Sequence, residues 1–269
     1  MQEKKTLADY FSEHASDLKF VHEIETGKKK NHALMLDCAK QMSSCKQINK
    51  NDVVTVILPN SIQYIECFLA AMFGGWIFNP LPYFIQTQEL EKIFEYVKPS
   101  IIITDKNEIF SHFIKKYKIL TPEQTLLENK KFEKKEIDSM SPAALYYSSG
   151  TTGNPKGVLY SHKNMITLIS SIVRGFKFTS QDHQLAFLPF GHTASINYNI
   201  LPSILIGCDL FISKGFEHLR NNFFNVLEKY KITYTEIVPT VLFVLNKLKA
   251  DVKNINLSSL EFIGCSSST

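Results

Sequence analysis

The chain has 269 residues, of which 44% are hydrophobic and 21% charged, and it carries a net charge of +4. That balance is the balance of a globular domain and excludes a disordered or collagen-like chain, and the length suffices for one large domain or two smaller ones. Arg174 and Arg220 are the only arginines; nucleic-acid surfaces favour the arginine fork, so no nucleic-acid partner is expected, and the lysine runs Lys28–Lys30 and Lys130, Lys131, Lys134, Lys135 read as solvated faces.

In chain order, Val53–Leu58 (VVTVIL) reads as a buried strand, and Pro59-Asn60-Ser61 supplies a turn and a helix cap. A helix is expected from Ile62 to Phe73, stopped by Gly74-Gly75. Trp76–Pro80 reads as the next strand, Gln88–Val97 as a helix, and Ser100–Thr104 as a wholly apolar strand. The charged stretch Asn129–Ser141 reads as a surface connection. The pattern then repeats: strand Ala143–Tyr147, a glycine-rich loop, strand Val158–Ser161 and a helix over Lys163–Phe176. Phe223, Leu227 and Tyr230 fall on one helix face. Strand Ile232–Val238 follows, Pro239 opens another helix, and Leu257–Gly264 reads as a last strand. Alternating strands and helices predict an α/β fold of mainly parallel sheets covered by helices. The expected division is a first subdomain over 1–162 and an incomplete second over 163–269, because the sequence stops directly after its last strand.

The cysteines Cys38, Cys45, Cys67, Cys208 and Cys265 form no C-x-x-C pair, and no histidine cluster has zinc spacing. They suit a reducing compartment. MQEKKTLADYFSEH lacks the apolar core of a secretory signal. The apolar run Cys67–Ile85 is broken by Asn79, Pro80 and Pro82, so no transmembrane segment is expected. The expected location is cytoplasmic.

One segment carries chemistry: Tyr146-Tyr147-Ser148-Ser149-Gly150-Thr151-Thr152-Gly153-Asn154-Pro155-Lys156-Gly157. The whole chain has 11 glycines, yet three fall here, beside four hydroxyl residues and a lysine. Glycines let backbone N–H groups turn toward an anion, Ser and Thr hydroxyls donate, and Lys156 adds positive charge. The spacing is neither that of a Walker A loop nor of a dinucleotide fingerprint, and no G-x-S-x-G elbow occurs. On composition alone a polar hairpin between two strands stays open as an alternative.

The order of these residues resembles the signature loop of the adenylate-forming superfamily, which includes acyl-CoA synthetases, coumarate-CoA ligases, luciferase-like enzymes and nonribosomal-peptide adenylation domains. The resemblance extends to LPNS (Leu58–Ser61), KPSIIITD (Lys98–Asp105), LPFGHTAS (Leu188–Ser195) and ITYTEIVPTVL (Ile232–Leu242). It implies the N-terminal portion of such an enzyme's large domain. It implies ATP-phosphate binding by Ser148, Ser149, Gly150, Thr151, Thr152, Gly153, Lys156 and Gly157, with Thr151, Thr152 and Lys156 as catalytic residues. It also implies an acyl pocket near Phe190 and His192, with Cys265 and Ser266 as further contacts. Read alone, a histidine after Pro-Phe-Gly is more often a structural loop residue than a pocket residue. Gly191 departs from the bulky residue usual before that histidine, and IGCSSST lacks the usual Gly-Ala-Pro character.

The implied function is an AMP-forming acid–CoA ligase. A carboxylate attacks the ATP α-phosphate, and a thiol then takes the acyl group, with ATP, Mg²⁺ and coenzyme A as the small-molecule set and no protein metal site in this chain. The acid is expected to be medium-sized or fatty, with Phe190, Trp76 and the helix after Pro239 hinting at an apolar pocket. An acyl-AMP ligase serving a carrier protein, and a non-catalytic nucleotide-binding remnant, remain as alternatives. The family's acidic magnesium residue, ribose aspartate and C-terminal lysine lie beyond this sequence, so the isolated chain is expected to be inactive without a further C-terminal portion.

Overall fold

The computed structural model describes residues 5–106, 116–126, 131–148, 156–248 and 252–266. Its strands are β1 (Phe20–Glu23), β2 (Lys29–Asn31), β3 (Val53–Ile57), β4 (Ile77–Pro80), β5 (Ile101–Thr104), β6 (Lys118–Leu120), β7 (Pro142–Ser148), β8 (Lys156–Ser161), β9 (His183–Ala186), β10 (Asp209–Ile212), β11 (Tyr234–Ile237) and β12 (Phe262–Cys265). They form two six-stranded sheets, ordered β6-β5-β3-β4-β7-β8 and β12-β11-β9-β10-β1-β2. Pairing is parallel except at one edge of each sheet, where β7 meets β8 and β1 meets β2 antiparallel. This is the mainly parallel α/β fold that the alternation of elements predicts.

The chain resolves into two compact units built from interleaved segments. One comprises Met1–Glu13, Leu34–Pro59 and Gln63–Leu168; the other comprises His14–Ala33, Asn60–Ile62 and Ile169–Thr269. The helix His162–Phe176 carries the chain from the first to the second.

In the first unit, helix Ile62–Gly74 is buried almost all round, because its sequence is apolar on every face. Tyr64 and Phe68 set their rings edge-on to Phe78 of β4, at 5.7 and 5.0 Å. Burying each such ring contributes roughly 2–3 kcal/mol. The helix stops at its double glycine for two reasons. Gly75 sits at φ +65°, and the Trp76 indole folds back so that a Cβ on Gly74 would lie 2.5 Å from its Nε1. Trp76 is fully buried there as a core residue of this unit. Helix Thr87–Val97 packs Leu90, Ile93 and Phe94 against Ile57, Leu81 and Ile102.

In the second unit, Leu185, Phe187 and Phe211 of the sheet side pack with Phe223, Leu227, Val241 and Leu245 from the helices Phe223–Lys229 and Pro239–Leu248. The hairpin β1–β2 has no signal strong enough to read from the sequence. It closes through Gly27 (φ +70°), whose N–H donates to Glu23 O at 2.9 Å, and it joins this sheet by pairing Val21 with Leu210. The last strand is shorter than the expected Leu257–Gly264. Asn256 Oδ1 accepts from Ser258 N–H at 3.0 Å and Leu257 O from Leu260 N–H at 3.0 Å, so those residues form turns and β12 begins only at Phe262.

Candidate active site

The glycine-rich segment is framed by β7 and β8, whose antiparallel register runs from Pro142 opposite Ser161 to Ser148 opposite Lys156. Ser149, Gly150, Thr151, Thr152 and Gly153 lie outside the described residues, as does the Ser148 side chain. Lys156 is exposed, and no carboxylate pairs with it among the described residues. Gly157 stands opposite Tyr147, and a Cβ there would come within 3.0 Å of Leu145 Cδ1.

A polar relay anchors the strand that enters this loop. The Tyr147 hydroxyl donates to Asn79 Oδ1 at 2.9 Å, and Asn79 Nδ2 donates to Thr55 Oγ1 at 2.7 Å. Asn79 and Thr55 are fully buried and paired in register on β4 and β3. Burial raises the Tyr147 pKa above its ordinary value, so the phenol remains a donor. The relay therefore ties β7 to the interior strands one residue before the loop.

In the second unit, Asn60 organises the segment that holds Phe190 and His192. Its Nδ2 donates to Leu188 O at 3.1 Å and Ser213 O at 3.0 Å, with Phe187 O at 3.4 Å; its Oδ1 accepts the Phe190 N–H at 2.9 Å. A primary amide alone offers two donors and an acceptor in one plane, which explains asparagine here. Ser195 Oγ adds a bond to Leu188 O at 2.9 Å. The Phe190 ring is only 1% exposed. His192 is exposed at the start of the short helix Thr193–Ser195, where its Nδ1 accepts from Ala194 N–H at 3.4 Å. An acceptor at Nδ1 leaves the proton on Nε2. A π-helical turn, Ile196–Ile200, follows at once; such turns recur at functional sites.

Cys265 and Ser266 are separated by the alternation of the strand. Cys265 lies opposite Ile237 and lines an apolar cavity of about 220 Å³ with Phe224, Leu242, Leu245 and Ile263. Ser266 instead donates to Glu236 Oε1, and the Tyr234 hydroxyl donates to Glu236 Oε2 at 2.7 Å. Asn60, Asn79 and Glu236 were not legible as site-shaping residues. Only the period-two alternation of ITYTEIV signals that Tyr234 and Glu236 share a face. Among the described residues, no group of three or more His, Cys, Asp or Glu is placed to hold a metal, and no helix is long and apolar enough to cross a membrane.

The family model described as AMP-binding enzyme matches residues 30–269. The chain belongs to the AMP-binding enzyme family. Among its curated relatives, 4-coumarate--CoA ligase of Vanilla planifolia is 30% identical over 240 residues, covering 80% of the chain and 43% of the relative. The 4-coumarate--CoA ligase 3 of Arabidopsis thaliana is 30% identical over 241 residues, with 80% and 42% covered. The chain thus spans less than half the length of these relatives. Among solved structures, ATP-bound MatB from Rhodopseudomonas palustris superposes with a TM-score of 0.86 at 19% identity, covering 98% of this chain and 55% of that one. McyG A-PCP complexed with phenylalanyl-adenylate gives 0.86 at 19% identity, with 98% and 52% covered. At such identity these likenesses establish the fold of adenylate-forming ligases.

Proposed function

We propose that the chain is the ATP- and acid-binding part of an AMP-forming acid–CoA ligase. The observation that carries this reading is the YYSSGTTGNPKG segment, set between β7 and β8 at the edge of a parallel sheet in a chain of the AMP-binding family. The curated relatives named above are CoA ligases, which supports coenzyme A over a carrier protein as the thiol.

The roles follow from charge and position. Ser148, Ser149, Thr151 and Thr152 hydroxyls and the N–H groups around Gly150, Gly153 and Gly157 hold the phosphates that leave as pyrophosphate. Lys156 neutralises the charge that develops on them, so that Thr151, Thr152 and Lys156 act on the reacting group. Mg²⁺ would come with the triphosphate and would offset its charge; among the described residues no group of three or more His, Cys, Asp or Glu is placed to hold it. Phe190, His192 and Ser266 border the acid, which attacks the α-phosphate to give acyl-adenylate, whereas Cys265 faces the separate apolar cavity.

Equilibrium titration of the chain with MgATP tests the reading. Saturable binding is expected, with Lys156→Ala weakening it about tenfold, the loss of one charge-assisted contact. Absence of binding at millimolar ATP, or a Lys156→Ala variant that binds as well, would refute it.

A further inference from the structure

Glu236 is 2% exposed, and among the described residues its carboxylate meets hydroxyls alone: Tyr234 Oη on Oε2 and Ser266 Oγ on Oε1. No lysine, arginine or histidine among the described residues pairs with it. An ionised carboxylate buried without counter-charge is strongly disfavoured, and two hydroxyls fill only half of its roughly four acceptor positions.

The surroundings carry unmet polar demand as well. Gln184, Tyr234 and Phe262 stand in register across β9, β11 and β12, and Glu236 pairs with Gly264 two residues further along the same face. A Cβ on Gly264 would collide with Glu236 Oε2, so the carboxylate holds its present place only beside a residue without a side chain. Gln184 is fully buried and Asn199, on the π-helical turn packed against β9 and β11, is 1% exposed. Neither amide finds a hydrogen-bond partner on its oxygen or its nitrogen. Beside them Phe176, Phe178, Tyr198, Tyr234 and Phe262 form an aromatic cluster with ring separations of 4.8 to 6.3 Å. A carboxylate, two amides unsatisfied among the described residues and a set of ring faces suit an organic cation better than an alkyl chain.

We propose that Glu236 determines acid specificity and that the chain takes a carboxylic acid bearing an ammonium group, which pairs with the Glu236 carboxylate. This inference rests on the ligase reading above and runs against a simple fatty acid. The Gln184 and Asn199 amides take the remaining polar contacts of the bound acid.

The test is titration of the 269-residue chain, with ATP present, by ε-aminocaproate and by heptanoate, which carries a methyl group in place of the ammonium. The aminated acid is expected to bind at least about tenfold more tightly. Glu236→Gln should abolish that preference and Glu236→Leu reverse it; circular dichroism checks both folds, and the glutamine variant suffices if the leucine one does not fold. Equal or tighter binding of heptanoate by the unaltered chain overturns the inference, as does a preference that survives Glu236→Gln. Binding of neither acid while ATP still raises the melting temperature also overturns it but leaves the ligase reading standing. Loss of both acid and ATP binding overturns the two together.

Discussion

Replacing Asn60 by alanine should loosen the Leu188–Ser195 segment from within. The substitution removes the acceptor for the Phe190 N–H and the donor shared by Leu188 O, Ser213 O and Phe187 O. Asn60 is 8% exposed and Phe190 1%, so water does not readily replace the lost partners. An orphaned buried N–H costs about 1–3 kcal/mol, and the weakened carbonyls bring the expected total to about 2–4 kcal/mol. At about 2–4 °C per kcal/mol for a chain of this size, the melting temperature of the second unit falls by roughly 4–16 °C. Hydrogen exchange at the Phe190 amide localises the effect, because this N–H should lose protection before the sheet does. Asn60→Asp provides an internal control. It keeps an acceptor for Phe190 but sets a negative charge against three carbonyls, so at neutral pH it should be at least as damaging as alanine. A variant Asn60→Ala within about 0.5 kcal/mol of the parent, the range of ordinary surface substitutions, would refute the assignment. So would an unchanged exchange rate at Phe190.

Stability should fall on mild acidification. His32 and His162 are fully buried, and burial lowers both pKa values from 6.5 to about 4. The unfolded chain binds these protons below pH 6.5 while the folded chain refuses them until about pH 4, so the stabilisation is complete above 6.5 and declines as pH drops through that window. Each histidine contributes a slope of about 1.4 kcal/mol per pH unit, or about 4 kcal/mol for the pair between pH 6.5 and 5. Urea unfolding against pH measures this, and His162→Asn should roughly halve the slope; a flat profile would contradict it. Asp209 acts outside the window. Burial alone would raise it, but His22, the Phe20 N–H and Lys19 hold it below the ordinary carboxylate range, so its contribution is lost only below about pH 4. Finally, Asn79→Ala leaves the Tyr147 hydroxyl and Thr55 without their shared partner. It should cost about 2–3 kcal/mol and weaken ATP binding severalfold, read by the same MgATP titration; unchanged ATP affinity would remove Asn79 from the support of the loop.

The parts of the fold that local chemistry decides are the parts the sequence reveals. VVTVIL, SIIIT and the helix ended by Gly74-Gly75 are set by neighbours within a few residues, and each lies within one or two residues of its expected span. What escapes is whatever depends on a distant segment. The β1–β2 hairpin carries weak alternation and gains its place only by pairing with β10, nearly two hundred residues later. Asn60 shows the same limit at the level of one side chain. In LPNS it reads as a turn and cap residue, the local role that asparagine favours, and nothing nearby in sequence reveals that its amide instead spans residues 187, 188, 190 and 213. Glu236 is the sharper case. Within ITYTEIVPTVL it breaks the apolar pattern of a buried strand, and its neighbours offer no counter-charge. A charged residue in such a place is costly for folding alone, and a fold retains costs of this kind where a ligand later meets them.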